Sequence, residues 1–293
     1  MFYDVPLANG SLQYADSHFR SAADAIERGI NYRVRSAYNF IMFASALTGV
    51  ALAGAAVGSL YYQSMWPTAR WFGTTFTGMQ RGAKQIALTY DDGPNDPYTL
   101  RLLEVLSRHQ VNATFFLIGR YVQRRTDIAR EIAKAGHIIG NHTFTHPPLI
   151  FQSQAEIRKQ LSDCHAALSD AVGEHSRLFR PPFGGRRPAV LRIARELGLQ
   201  PVMWTVSGSD WNALSAATIE RKVSRRVRGG DVILLHDGGH KEMGADRSQT
   251  VEATDHLLRR YDNEGYKLVT VPEMMGASNF RPSAAGKFPS VRV

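Results

Sequence analysis

The sequence predicts an α/β fold, a deformed (β/α)7-type barrel, preceded by one transmembrane helix. From about Lys84 to Pro272, short apolar runs of strand type alternate with amphipathic stretches of helix type. Strand–helix alternation through one continuous region is typical of a parallel sheet with helices outside it. Separately, no charged residue occurs from Ser36 through Ala69, which indicates a membrane segment.

The predicted strands divide the barrel region into seven units. They are Gln85–Thr89, Ala113–Ile118, His137–Gly140, Leu178–Arg180, Pro201–Val206, Val232–Leu235 and Tyr266–Thr270. Seven units suggest an incomplete barrel, with a site at the carboxyl ends of the strands. Polar clusters follow several of these runs, where that site would lie.

The predicted membrane span covers residues 38–62. Its apolar core is long enough to cross a hydrocarbon layer of about 30 Å as a helix, and Tyr38, Tyr61, Tyr62 and Trp66 stand at its ends, as aromatic residues do at membrane interfaces. A buried core helix and a cleaved signal peptide are the alternatives. The run is longer than a signal peptide's apolar region and begins later, which favours an uncleaved, single-pass anchor.

Arginines near the span predict its orientation. Arg28, Arg33 and Arg35 precede it and only Arg70 follows closely, so residues 1–37 are expected in the cytoplasm and the barrel outside it, in the cell envelope. Residues 1–37 also carry an apolar stripe that suggests an amphipathic helix on the membrane surface. Gly54 and Gly58 form a GxxxG pattern, a weak indication of a helix–helix dimer.

The remaining boundaries are a linker at 63–83, the barrel domain at 84–275 and a flexible tail at 276–293. The net charge is +9. The densest basic run, Arg221–Arg228, also has apolar residues at helical spacing, so we interpret it as the solvated face of an amphipathic helix. No nucleic-acid motif accompanies it, and no nucleic-acid partner is expected.

The polar clusters contain the groups that metal-assisted hydrolysis requires. His142 and His146 are four residues apart, a spacing that suits two imidazoles on one face of a helical turn. Asp91 and Asp92 follow a predicted strand, so one carboxylate could bind a metal ion while the other faces a water molecule. An Asp-Asp-Gly-Pro turn without chemistry is the alternative for that pair.

Five ordered motifs resemble those of the NodB-homology polysaccharide deacetylases, carbohydrate esterase family 4. They are Tyr90-Asp91-Asp92-Gly93-Pro94, His142-Thr143-x-x-His146, Arg180-Pro181-Pro182-Phe183-Gly184, Asp210-Trp211 and Leu234-x-His236. The resemblance covers about residues 84–272. It implies a deformed barrel and a bound divalent metal ion. Zn²⁺ is the first candidate for this ion, and Co²⁺, Ni²⁺ and Mn²⁺ are the alternatives.

The resemblance also implies roles for single residues. Asp92, His142 and His146 would hold the metal ion, Asp91 would be the base and His236 the acid. Arg180 would pair with Asp91, and Asp210 would orient His236 and raise its pKa.

A substrate-binding set is expected from Tyr90, Phe183, Trp211 and Leu234. The Phe183 N–H would bind the oxyanion, and Trp211 with Leu234 would line a slot for the acetyl methyl. Sugar stacking is the rival role for Trp211, and core packing is the rival for Leu234. The family often has an acid where Ser207 stands, so the cleft lining is less certain than the catalytic set.

The implied activity is removal of N-acetyl groups from a polysaccharide that contains N-acetylglucosamine, such as peptidoglycan or a chitin-like polymer. An O-acetyl esterase of the acetylxylan type and a non-catalytic envelope-binding protein are the alternatives. Histidines outside the motifs are interpreted as structural or surface residues, with His240 the weakest case because it closely follows His236.

Overall fold

A computed structural model describes residues 10–276, with side chains from residue 19 onward. The chain divides into two compact units, Met1–Leu60 and Tyr61–Val293. The predicted tail beyond residue 276 lies outside the described residues.

Within the described residues, the first unit is a single helix, α1, which runs from Gly10 to Met65 and so ends inside the second unit's range. The sequence predicts a short amphipathic helix before the span, and α1 is continuous through both. Within the described residues, α1 is the one helix long and apolar enough to cross a membrane, by length and composition. Nothing lies within 4 Å of the Cβ positions of Gly54 and Gly58, so their pairing with another helix stays a prediction.

The second unit is built on a curled parallel sheet that forms a half-barrel. Its strands are β1 (Gln85–Asp91), β2 (Thr114–Leu117), β3 (Ile138–Asn141), β4 (Leu178–Phe179), β5 (Gln200–Pro201), β6 (Val206–Ser207), β7 (Asp231–His236) and β8 (Lys267–Leu268). The order is β5-β4-β3-β2-β1-β7-β6, with β8 also paired to β1. The predicted α/β half-barrel class is confirmed.

One predicted strand is wrong in detail. Pro201–Val206 is not continuous: β5 pairs with β4 at one edge of the sheet, and β6 pairs with β7 at the other. The residues between them cross the gap that would otherwise leave the barrel open. A single apolar run therefore supplies both edge strands, because its ends bond to different neighbours.

Helices cover the outer face of the sheet. They are α2 (Tyr98–Arg108), α3 (Gly119–Arg124), α4 (Thr126–Lys134), α5 (Gln154–Val172), α6 (Pro188–Glu196), α7 (Ala216–Ser224) and α8 (Ser248–Asn263). The short helix α9 (Val271–Met274) lies on the other face, where Val271 and Met274 pack with Ala87 and Val232. In α7, Ile219 and Val223 are buried while Arg221 is exposed, as is Arg225 directly after the helix, and this agrees with the predicted amphipathic pattern.

Alternation along β1 separates two apolar cores. Ile86, Leu88 and Tyr90 belong to the large cluster between sheet and helices. Ala87 packs in a smaller cluster with residues of the other strands, such as Val232, inside the curl of the sheet. Because successive side chains of a strand point to opposite faces, Asp91 shares its face with Ala87 and not with Tyr90.

The predicted linker at 63–83 is partly built into the barrel. Phe76 N–H donates to the Pro201 carbonyl at 2.9 Å, and Met203 N–H donates to the Phe76 carbonyl at 2.7 Å. Farther back, the buried guanidinium of Arg186 donates to the carbonyls of Trp66 and Ala69 among others. These contacts make residues 64–79 part of the second unit.

Candidate active site

The carboxyl ends of the parallel strands bring the predicted site residues together. Asp91 ends β1 and is the register partner of His236 at the end of β7. His142 directly follows β3, and Arg180 directly follows β4. Parallel pairing therefore places residues far apart in sequence around one opening.

Three side chains form a cluster that suits a metal ion. His142 Nε2 lies 3.4 Å and His146 Nε2 lies 3.2 Å from the same Oδ1 atom of Asp92. One ligand atom from each residue lies within 4.8 Å of the others, and all three residues are buried. Two imidazole nitrogens and one carboxylate oxygen form a set typical of hydrolytic metal sites with open positions.

Electrostatics at the cluster also suit a cation. Asp92 Oδ1 is buried and accepts no hydrogen bond from any described residue. Although burial opposes it, the neighbouring histidines hold the pKa of Asp92 well below its usual range. Burial lowers the pKa of His146 to about 3, which leaves that imidazole neutral and able to donate a lone pair. The residues present therefore fit a divalent ion.

The loop that carries the two histidines is not the helical turn that their spacing suggests. Thr143 and His146 both have positive φ angles, 67° and 63°, and the segment has no helix. Side chains hold it instead: Thr143 Oγ1 accepts from His146 N–H at 3.0 Å, and Asn141 Oδ1 accepts from Thr143 N–H at 2.9 Å. Local side-chain acceptors thus outcompete helical hydrogen bonds here.

Arg180 holds Asp91 in place. Its Nη1 donates to Asp91 Oδ1 and to Thr89 Oγ1, both at 2.8 Å. Its other nitrogens donate to the carbonyls of Val202 and Met203, in the segment that crosses the gap in the barrel. The guanidinium is fully buried, and its four hydrogen bonds are divided between β1 and the crossing segment, so it holds the Asp91 carboxylate in one orientation.

His236 and Asp210 form a second buried pair. His236 Nδ1 lies 3.0 Å from Asp210 Oδ1, and His236 N–H donates to Asp210 Oδ2 at 2.7 Å. Burial alone would lower the pKa of His236, but the Asp210 carboxylate outweighs it and raises the pKa to about 9. His236 is therefore protonated at neutral pH, with Nε2 free of this pair.

A cleft of about 650 Å³ lies over these groups. Phe183 and Trp211, residues that are 47% and 51% exposed, line it, and so does Leu234, which is buried. The Trp211 ring stands edge-on to His236 with centroids 5.4 Å apart. Phe183 has a positive φ of 57°, which belongs to the sharp turn after the two prolines.

Tyr90 does not belong to the cleft, which corrects the expectation that it binds substrate. It is fully buried, its ring is stacked on Phe115 with centroids 5.2 Å apart, and its hydroxyl lies 3.0 Å from Thr254 Oγ1. The alternation of β1 turns Tyr90 toward the helices, because Asp91 next to it faces the cleft.

Several residues at the site are absent from the sequence-based set. Trp204, His240 and Arg247 line the cleft. Thr250 Oγ1 donates to Asp210 Oδ2 at 2.9 Å, and Ser207 Oγ accepts from Ser209 N–H at 3.1 Å in the turn before Asp210. The short interval between His236 and His240 was the one available signal, and the interpretation of His240 as a surface residue is incomplete.

Comparison with known proteins agrees with this geometry. Residues 78–202 match the family described as polysaccharide deacetylase. A peptidoglycan-N-acetylglucosamine deacetylase of Bacillus cereus is 38% identical over 194 residues, which are 66% of this chain and 88% of that protein. A chitooligosaccharide deacetylase of Sinorhizobium fredii is 36% identical over 198 residues, 66% of this chain and 92% of that protein.

Solved structures show the same fold. A peptidoglycan N-acetylglucosamine deacetylase bound to a naphthalenyl-N-oxidanyl-benzamide matches with a TM-score of 0.63 and 35% identity, covering 68% of this chain and 91% of that one. A family 4 pseudoenzyme from Bacillus anthracis matches with a TM-score of 0.65 and 31% identity, covering 70% and 69%.

The chain belongs to the polysaccharide deacetylase family, carbohydrate esterase family 4. It is a hydrolase of that family, with a polysaccharide as its substrate and an Asp-His-His cluster suited to a divalent metal ion.

Proposed function

We propose that this protein removes N-acetyl groups from N-acetylglucosamine units of an envelope polysaccharide, with peptidoglycan as the first candidate and Zn²⁺ as the metal ion. The observation that carries the proposal is one cleft containing the Asp92, His142 and His146 cluster with the Asp91–Arg180 and His236–Asp210 pairs on either side. Curated relatives named for peptidoglycan and for chitooligosaccharides support this substrate class.

The chain's own groups divide the chemistry between them. A bound divalent ion supplies a Lewis acid for the acetamide carbonyl and lowers the pKa of water. Asp91, held by Arg180, accepts the proton of the attacking water. The Phe183 N–H meets the negative charge that develops on the acetamide oxygen. His236 donates its proton to the departing sugar amine, which is a poor leaving group without it.

The cleft lining supports an acetylated sugar as substrate. Leu234 offers a buried apolar wall that fits the acetyl methyl, and the exposed faces of Trp211 and Phe183 suit the apolar face of a pyranose ring. A catalytic role rather than a binding role follows from the intact charge pairs. Family membership alone does not decide it, since one structural relative is described as a pseudoenzyme.

For location, we propose a single-pass anchor at residues 38–62, with residues 1–37 in the cytoplasm and the deacetylase unit outside it. The apolar stretch within α1 supports the anchor, and the arginines before it support the orientation. A polymer of the envelope is then within reach of the cleft, whereas a cytoplasmic location would separate the two.

Acetate release by the full chain in detergent tests the proposal. The zinc-loaded protein is expected to release acetate from purified peptidoglycan or chito-oligosaccharides, and a chelator is expected to stop it. Asp91→Asn removes the base and is expected to lower kcat/KM by about 100-fold or more. His256→Gln, in α8 where the side chain faces Glu220 of α7 and not the cleft, is the control and is expected to keep wild-type activity.

Either of two results would contradict the proposal. If Asp91→Asn turned over at the wild-type rate, Asp91 would not be the base. If acetate were released from acetylated xylan and from neither N-acetyl substrate, the protein would be an O-acetyl esterase and not an N-acetyl deacetylase.

A further inference from the structure

The two imidazoles of the metal cluster are held in different ways. His142 Nδ1 lies 2.8 Å from the Arg180 carbonyl, a hydrogen bond that fixes its ring while Nε2 faces Asp92. His146 Nε2 also faces Asp92, but His146 Nδ1 is buried and has no hydrogen-bond partner among the described residues. Ligating histidines usually donate the second ring nitrogen to a partner that sets the ring's orientation. Something else must orient His146.

Aromatic rings surround His146 in place of that hydrogen bond. The His240 ring is stacked on it, with centroids 4.9 Å apart and planes inclined by 25°. Phe183 stands edge-on to the His146 ring at 4.7 Å and to the His240 ring at 5.1 Å. Offset stacking at these separations is attractive and restricts rotation of both rings. The His240 ring thus packs against one face of the His146 ring.

A single short helix supports the loops that carry both rings. At the start of α3, Gly119 N–H and Arg120 N–H donate to the carbonyls of Thr143 and Phe144, in the loop that carries His146. The Arg120 guanidinium donates to the His240 carbonyl at 2.6 Å, and the Tyr121 hydroxyl donates to the Gly239 carbonyl at 3.0 Å. The loop after β7 and the loop after β3 are therefore fixed to the same element.

Close packing leaves α3 little freedom to shift. A Cβ at Gly119 would lie 2.8 Å from the Phe144 ring and 2.9 Å from the Cα of Cys164 in α5. The loop after β3 and the loop after β7 are therefore both bonded to a helix that is itself closely packed.

We propose that His240 is a positioning residue that orients the metal ligand His146 by ring stacking rather than by binding the metal ion itself. The proposal rests on the proposed metal-dependent function and deepens it, because it assigns a role to a residue outside the family's five motifs. It also explains how a ligand without a hydrogen-bond partner on its second nitrogen keeps one orientation.

Metal affinity tests the role without relying on turnover. Zn²⁺ dissociation constants would be measured for the full chain in detergent by competition with a chromogenic chelator. His240→Ala removes the stacked ring and is expected to weaken Zn²⁺ binding about 10-fold, the lower end of the effect for groups that orient metal ligands. His240→Phe keeps an aromatic ring and is expected to bind Zn²⁺ close to the wild-type value. Lys241→Ala, the next residue of the same loop, is the control and is expected to leave affinity unchanged.

The variants separate stacking from its rivals. If His240→Phe binds Zn²⁺ as weakly as His240→Ala, His240 acts through its nitrogens as a ligand or hydrogen-bond donor, and the stacking role is overturned. If His240→Ala keeps wild-type affinity, His240 does not orient His146. Thermal unfolding of the metal-free variants shows whether a loss of affinity is only a loss of fold. Failure of the wild-type chain to bind Zn²⁺ at all would instead contradict the proposed function.

Discussion

Asp210 shows how a single carboxylate sets the state of the proposed acid. Its side chain accepts hydrogen bonds from His236 N–H, from His236 Nδ1 and from Thr250 Oγ1. The Asp210 side chain is buried and that of His236 is mostly buried, and in such surroundings a carboxylate stabilises a facing imidazolium more strongly than it would in water. This is why the pKa of His236 rises to about 9 although burial opposes it.

The pH dependence of activity follows from this pair. His236 must carry a proton to act as the acid, so kcat/KM is expected to fall as pH rises through about 9. Asp210→Asn removes the charge that raises the pKa, and the alkaline limb is expected to move to lower pH by about one unit or more. Thr250→Val keeps the charge and is expected to move the limb less. If the alkaline limb of the Asp210→Asn profile lay at the wild-type pH, Asp210 would not be the group that raises the pKa of His236.

Motif residues could be predicted from the sequence because each follows a recognisable apolar run. The residues that support them could not. Thr250 lies in α8, about 40 positions from Asp210, and only the fold brings the two together. Tyr90 was misassigned for a different reason, since it lies inside a functional motif but on the face of β1 that turns to the core.

Among the elements, the loop after β3 depends most on a residue outside it. Gln160, buried in α5, accepts hydrogen bonds from the N–H groups of Phe144 and Thr145 at 3.1 Å and 2.8 Å. The spacing of His142 and His146 suggests a helical turn, but a distant side chain supplies the acceptors that a helix would supply from its own backbone. No local pattern in the sequence predicts that Gln160 would be this acceptor.

Replacing Gln160 should therefore affect both stability and the metal cluster. Gln160→Leu leaves two N–H groups without their acceptor, and we expect a loss of about 2 kcal/mol in the free energy of unfolding. Zn²⁺ affinity is expected to fall as well, because the loop carries His146. Denaturant titration and chelator competition measure the two effects. Lys159→Gln, on the exposed side of α5, is the control, and an equal loss in that variant would contradict the role of Gln160.

At the scale of the whole molecule, the alternation of strand-type and helix-type segments in the sequence predicts the class of the fold. It does not predict how the gap in the barrel is closed. The gap between β5 and β6 is crossed by residues 202–205 and by the segment around Phe76. The sequence places that segment in a linker because it lacks a strand pattern. Its hydrogen bonds to Pro201 and Met203 depend on a tertiary neighbour more than 120 positions away, which periodicity cannot detect.

Arg186 fixes the start of the same segment. Its guanidinium donates to the carbonyls of Trp66, Pro67 and Ala69, and no acidic side chain within residues 19–276 forms an ion pair with it. Arg186→Met is expected to lower the free energy of unfolding of the second unit by about 2–4 kcal/mol. Trypsin should then cut faster after the exposed Arg70.

The neighbouring arginine gives a matched control. Among the described residues, the Arg187 side chain donates only to the Gln152 carbonyl, so Arg187→Met is expected to cost less stability and leave the cleavage rate near wild type. Thermal unfolding and limited trypsin digestion of the full chain measure both effects. Equal behaviour of the two variants would show that residues 64–69 do not depend on Arg186.

The backbone conformation of several residues at the cleft lowers the stability of the fold, and selection for stability alone would change those residues. Asp92, Thr143, His146, Phe183 and Ser209 all have positive φ, between 55° and 75°, and together they form the turns of the site. Each such non-glycine residue costs on the order of 1 kcal/mol. A library of variants selected only for thermal stability is therefore expected to accumulate glycine and asparagine at these positions. Its most stable variants would have lost activity. Engineering of this enzyme should hold those five positions constant and take its stabilising changes from the outer helices.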